Sequence, residues 1–231
     1  MSSASPTPRD IDIRIASKIA SQMDNTTGDY LVLTGSYSID ALTGADIKHN
    51  DIDANIFTTD IPTSLGRISL LLESNISELE PLSEASDRLE YVYPHQHGST
   101  QVELQFVQYD ALTANKNGIN FTLIGEPRQQ IVVPTVSRTM TETSGASHDF
   151  MVKSLPYAIG TWALRISGIA LKQKRPVRQT DIDHYAYLVS TPHDHSDLLI
   201  ALQHHPQMPA GYSAEEVLRK VAETLAKEDL R

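Results

Sequence analysis

The stretch NDIDANIF, residues 50 to 57, constrains the fold more than any other part of the chain. Side chains in a strand alternate between two faces, so Ile52, Ala54 and Ile56 share one side while Asp51, Asp53, Asn55 and Phe57 share the other. The apolar side requires a core, which places the segment in a sheet with one covered face. The two carboxylates are then neighbours, about 6 to 7 Å apart at a rise of about 3.3 Å per residue. Like charges so placed disfavour the strand unless something positive compensates them. A hard divalent cation does so, because Mg²⁺ takes oxygen ligands, commonly one or two carboxylates plus substrate phosphates.

A second segment, TQVELQFVQYD (100–110), repeats the device. Val102, Leu104 and Phe106 form its apolar face, and Glu103 lies on the other face between Gln101 and Gln105. If this strand lies beside the first, a third carboxylate joins the pair and a two-metal site becomes chemically reasonable. Acids on the outer face of an antiparallel strand ordinarily do no more than solvate the sheet. What favours a site is Gly35-Ser36, at the end of the apolar run DYLVLTG (29–35). A glycine there lets backbone approach a ligand, and a helix starting at Ser36 aims its free N–H groups at a phosphate.

The chain has 231 residues, enough for one large domain or two small ones with a real core. It holds no run of apolar residues long enough to span a membrane and no cysteine. Disulfides and thiolate metal sites are therefore excluded, and a cytoplasmic location away from any membrane is expected. A net charge of −10 argues against a surface coated for nucleic acid. The charge is uneven, however. Residues 151–180 carry six basic side chains and no acid, whereas 20 of the 29 acids lie in residues 1–150. Such an acidic part next to a basic segment suits a place where metal and polyanion meet.

Periodicity predicts helices at 10–23, 36–45, 61–81, 154–171, 178–190, 195–205 and 213–228, the last opened by a Ser213 to Glu216 capping box. Strands are expected at 29–35, 50–57, 88–95, 100–110, 119–125 and 129–136. The fold class is α+β: an N-terminal mixed sheet with helices over 1–147, followed by a C-terminal helical bundle over 148–231. The boundary falls near the Gly/Ser/Thr-rich TMTETSGASHD.

The strand, the LTGS turn (33–36), the helix, the DID triplet (51–53) and the later VELQF (102–106) together resemble the nucleotidyltransferase superfamily of the DNA polymerase β type. The family's third acid is often Asp, so Glu103 is a departure from its pattern. The resemblance implies Asp51, Asp53 and Glu103 as catalytic and metal-binding residues, Mg²⁺ or Mn²⁺ as cofactor, and a nucleoside triphosphate held by Gly35 and Ser36. It implies transfer of a nucleoside monophosphate to an acceptor hydroxyl with release of pyrophosphate. The segment 153–188 is similar to the helical half of the abortive-infection, type IV toxin-like branch. That likeness nominates Lys153, Arg165 and Lys172 as triphosphate contacts, and an antitoxin as a partner. Arg165 and Lys172 would share a helical face at i and i+7, and Asp181 and Asp183 would cap the next helix or anchor the cations. The acceptor would be a small hydroxylated molecule, an RNA end or a protein.

Two other readings stand beside this one. The scaffold can serve as a non-catalytic binder of a nucleotide or partner. Alternatively His95, His97, His193, His195, His204 and His205 suggest a zinc hydrolase, although none of these pairs has the i, i+4 helical spacing of the familiar zinc protease motif.

Overall fold

The computed structural model describes residues 6–23, 28–45, 47, 49, 51–115, 118–125, 129–170 and 176–228. The chain divides into two compact units, one of residues 1–123 with 135–152 and one of residues 124–134 with 153–231. In chain order the elements are α1 (Pro8–Ala20), β1 (Tyr30–Leu33), α2 (Gly35–Thr43), β2 (Asp51–Thr58), α3 (Ile61–Asn75), β3 (Glu80–Ala85), β4 (Arg88–His95), β5 (Gly98–Gln108), β6 (Ala111–Asn115), β7 (Gly118–Gly125), β8 (Gln129–Thr141), β9 (Ser147–Lys153), α4 (Leu155–Ile166), α5 (Gln179–Ser190), α6 (His195–Gln203) and α7 (Ala214–Glu228). The strands form one mixed sheet in the order β3-β4-β5-β2-β1-β9-β8-β7-β6. Among the described residues no helix is long and apolar enough to cross a membrane.

In the first unit the apolar face inferred for β2 is buried: Ile52, Ala54 and Ile56 join Val102, Leu104 and Phe106 of β5 in the core. Helix α1 starts at a Thr7 capping box with Pro8 in its first turn, and it buries Ile13, Ile15 and Ile19. A polar network also fastens this helix. Glu142, after β8, accepts from Arg14 Nε at 2.9 Å and from His148 at 2.8 Å, while the other nitrogen of His148 lies 3.0 Å from Ser17 Oγ. The Thr143 N–H donates to Asp10 at 2.8 Å. In the second unit α4 packs against α5, α6 and α7, and α6 packs against α7. Ile159, Ala163, Leu164, Leu188, Leu202 and Val217 are buried there. Ser213 and Glu216 form the expected capping box of α7, each side chain accepting from the other's backbone N–H.

Three strands escape the sequence pattern. The predicted helix 61–81 ends at Asn75, and β3 begins at Glu80. Ile76 and Leu79 continue the helical spacing and are buried, so periodicity alone did not mark the end. Every residue of β3 is exposed and nothing in EPLSEA alternates. Short β6 lies at the other edge of the sheet, paired with β7, and likewise lacks alternation. Residues 147–153 form β9, parallel to β1 with Val32 opposite Met151, and the TSGA before them makes the turn from β8. The predicted helix 154–171 stops at Ile166, with Gly168 at φ 72 just beyond it.

The Arg14 guanidinium, followed by His148 and Ser144, holds the Glu142 carboxyl down at about 2. Its ordinary value is 4.5, so its stabilising contribution is fully present above pH 4.5 and fades as pH falls toward about 2. Glu142→Ala should cost about 2 kcal/mol at neutral pH, the scale of hydrogen bonds to a charged group. Urea unfolding should show the gap from wild type closing through that acid window.

Candidate functional site

The pairing of β1 with β2 builds the centre of the site. The strands run antiparallel with Leu33 opposite Ala54, and the Thr34 N–H donates to the Asp53 carbonyl at 2.8 Å. This bond draws the turn at 34–36 onto the acid strand. Gly35 takes φ 59, a left-handed conformation that suits glycine. A β-carbon on Gly35 would collide with the Asp53 carboxylate and come within 3.2 Å of the Asp53 Cβ. The glycine is thus required twice, by its dihedral and by the acid packed on its face.

Helix α2 begins at Gly35, one residue earlier than the sequence predicts. Ser36 is therefore not its cap. Thr34 occupies that position and makes no side-chain cap bond, and Ser36 lies inside the first turn, buried. The first backbone N–H to bond back along the helix is that of Ser38, to Thr34 at 3.4 Å. The N–H groups of Gly35, Ser36 and Tyr37 precede it, at the positive end of the helix dipole.

Strand β5 does lie beside β2. The pair is parallel, with Asp51 opposite Gln101 and Asp53 opposite Glu103. Residues directly opposite share a face, so Asp51, Asp53 and Glu103 stand on the same side of the sheet. The next strand adds to the row, for Glu90 of β4 pairs with Glu103. Three carboxylates therefore cross β2, β5 and β4 in line. Arg88 tempers them, with Nε 3.2 Å from Glu90 and Nη1 3.8 Å from Glu103. Glu90 and Arg88 are absent from the sequence reading. The signal for Glu90 was the β4–β5 hairpin itself, because counting back from the turn at Gln96-His97 sets 90 against 103.

Among the described residues no three His, Asp or Glu side chains are gathered as a metal cage. The carboxylates flanking the turn still fit a hard cation that draws the rest of its oxygen shell from water and substrate phosphates. The histidines go elsewhere. His95 and His97 occupy the β4–β5 turn, Asp194 caps the helix that His195 begins, and His205 is buried against Thr161 at 3.0 Å.

Lys153 and Arg165 belong to the second unit. Arg165 Nε lies 3.1 Å from Asp181, whose carboxylate is fully buried. Burial would raise the Asp181 carboxyl, but bonds from Arg178 and the charge of Arg165 hold it below its ordinary value. Asp181 also accepts from the Arg178 backbone N–H at 2.9 Å, so it both caps α5 and anchors cations. Because α4 ends at Ile166, the helical face proposed for Arg165 and Lys172 does not extend that far. Lys172 itself lies outside the described residues. No carboxylate among the described residues pairs with Lys153, whose ammonium sits 5.8 Å from the centre of the Tyr157 ring. Burial brings its pKa down to about 8.

No protein-family model matches the sequence, and no curated protein matches it. Solved structures do. An antigenic nucleotidyltransferase-like protein from Paracoccidioides brasiliensis is similar over 98% of this chain and 93% of its own, at 16% identity and a TM-score of 0.54. The antibiotic-resistance factor ANT(2'')-Ia is similar over 95% of this chain and 94% of its own, at 13% identity and a TM-score of 0.47. Polymerase beta of Leishmania infantum aligns over 45% of this chain and 39% of its own, at 14% identity and a TM-score of 0.34.

Two outcomes follow from this geometry. Gly35→Ala should lower stability by about 1 to 2 kcal/mol, and Asp53→Ala in the same chain should recover part of it, with a coupling of about 1 kcal/mol in denaturant unfolding. A lysine whose folded pKa is about 8 rather than 10.5 opposes folding while charged, so stability should rise between those pH values. Lys153→Met should remove that rise.

Proposed function

We propose that this chain, which has a nucleotidyltransferase-superfamily fold, transfers a nucleoside monophosphate from a nucleoside triphosphate to an acceptor hydroxyl and releases pyrophosphate. The observation that carries the reading is the contact of Gly35 with Asp53, which sets the uncapped N–H groups at the start of α2 beside the acid strand.

In this mechanism the N–H groups of Gly35, Ser36 and Tyr37 and the Ser36 hydroxyl hold the terminal phosphates. The missing Cβ of Gly35 lets the Asp53 carboxylate close on the turn, next to these N–H groups. Asp51 and Asp53 would hold Mg²⁺ or Mn²⁺, which supplies charge neutralisation on the phosphates when bound. The acceptor hydroxyl attacks the α-phosphorus in line with the departing pyrophosphate. The P–O bond to the acceptor forms as the bond to the β-phosphate oxygen breaks, and the acceptor proton passes to Glu103. Arg88 limits the wandering of Glu103, and positioning supplies most of the rate.

Because the protein alone provides few ligands, the ion should bind weakly without nucleotide and much more tightly with it. The acceptor is a hydroxyl of a small molecule, an RNA end or a protein. Asp53→Asn, which removes charge at nearly constant volume, should reduce pyrophosphate release from α-labelled nucleotides by a factor of about a thousand or more, with the Tm held. Wild-type release from that variant would refute the assignment. Nucleotide binding without release across a broad acceptor panel would instead mark a binding protein on the same scaffold.

A further inference from the structure

A cavity of about 490 Å³ opens between α1 and the end of the β4–β5 hairpin, lined by Ile11, Arg14, Ile15, Lys18, Tyr93 and His95 among others. Its volume is that of a small-molecule site. It lies on the opposite side of the sheet from the acid row. Tyr93 and His95 alternate with Val92 and Pro94 along β4 and so point away from the face of Glu90. The whole lining belongs to the first unit.

Two independent features mark this groove. The first is an apolar wall. Ile11 and Ile15 stand one turn apart on α1, and β4 contributes the rings of Tyr93 and His95, tilted 31° with centroids 6.3 Å apart. His95 is held in place, its Nδ1 accepting from the His97 N–H at 3.2 Å and its Nε2 lying 3.2 Å from Thr100 Oγ1. The second feature is charge. Arg14 and Lys18 also stand one turn apart, and the described lining holds no Asp or Glu. Neither cation is used up. Arg14 turns Nε, at 2.9 Å, and Nη2 toward the same Glu142 oxygen, so Nη1 has no partner among the described residues. Lys18 lies 3.5 Å from Glu78 with both side chains about half exposed, an open pair that contributes little and exchanges readily. On a chain of net charge −10, two cations beside apolar surface are a local exception.

The two features together specify one chemistry. A bare anion would leave the apolar wall wet, and a neutral ring would leave the cations unanswered. Two positive charges a turn apart suit a phosphomonoester, with its charge of about −1.5 to −2 near pH 7, better than a singly charged carboxylate. We propose that the groove is a second binding site, for a small aromatic phosphomonoester whose ring lies against Ile11 and Tyr93 and whose phosphate accepts from Arg14 Nη1 and Lys18 Nζ. The site stands independently of nucleotidyl transfer on the other face.

The test titrates phenyl phosphate, inorganic phosphate and phenol into the protein, followed by calorimetry and by the ¹⁵N resonances of the His95 ring. Phenyl phosphate should bind saturably, about tenfold or more tighter than either of the others, and should move the His95 resonances. Lys18→Met removes the charge and keeps the apolar stem, and Tyr93→Leu removes the ring. Each should weaken phenyl phosphate about tenfold, whereas Asp53→Asn should bind it as wild type does. Arg14 stays in place because its loss would also strand the Glu142 carboxylate. Inorganic phosphate binding as tightly as phenyl phosphate would reduce the groove to a charged patch, and phenol doing so would reduce it to an apolar one; either overturns the proposal. So would the absence of saturable binding, unmoved His95 resonances, undiminished binding by Lys18→Met or a matching loss in Asp53→Asn. If Tyr93→Leu does not fold, the wild-type and Lys18→Met titrations decide.

Discussion

The approach of Gly35 to Asp53 is the contact on which the site depends. One backbone bond, from Thr34 to the Asp53 carbonyl, fixes the offset of the turn from the acid strand, and the absence of a side chain at position 35 allows the carboxylate to pack there. Each partner explains an oddity of the other. A left-handed residue at a helix start is strained unless it is glycine, and an acid against a helix N-terminus is stabilised by the dipole it faces. The same geometry gathers N–H donors and carboxylate acceptors within one turn of chain, a combination that suits phosphate and metal together.

Repulsion shapes the surrounding sheet. Asp53, Glu103 and Glu90 stand opposite one another on three adjacent strands, an arrangement that costs stability when the partners carry like charge. Arg88 offsets part of it from one side. The hydrophobic face beneath, with Ile52, Val102, Leu104 and Phe106 all buried, supplies the stability that this row lacks. Function and packing are thereby divided between the two faces of the same strands.

Much of this was legible in the sequence because the strands that carry the acids also alternate. NDIDANIF and TQVELQF each state which face is buried, and their parallel adjacency brings Glu103 level with Asp53. The nucleotidyltransferase fold was legible from the turn and the acid triplet. Elements without such a pattern were not. EPLSEA has no buried face to betray it, and ALTAN at the other sheet edge is equally silent. Gly35 rather than Ser36 opens α2 because a positive φ, which no residue pattern marks, sits inside the helix boundary. The pairing of Arg165 with Asp181 depends on helix packing between segments that sequence spacing alone does not relate. The groove that sets Arg14 and Lys18 beside Tyr93 joins separate parts of the chain, so only the folded form brings it into view.

The parallel pairing of β2 with β5 has a consequence for how the chain reaches its native state. Between these strands run α3 and the β3–β4 hairpin partner strands, a long crossover whose ends must meet before any of the pairing is rewarded. The antiparallel β4–β5 hairpin closes over a short turn and can assemble on its own early in folding. The Asp53 and Glu103 charges come together only where that hairpin docks on β2. Docking the hairpin on β2 therefore brings like charges level with one another, a repulsion that salt or a bound cation weakens.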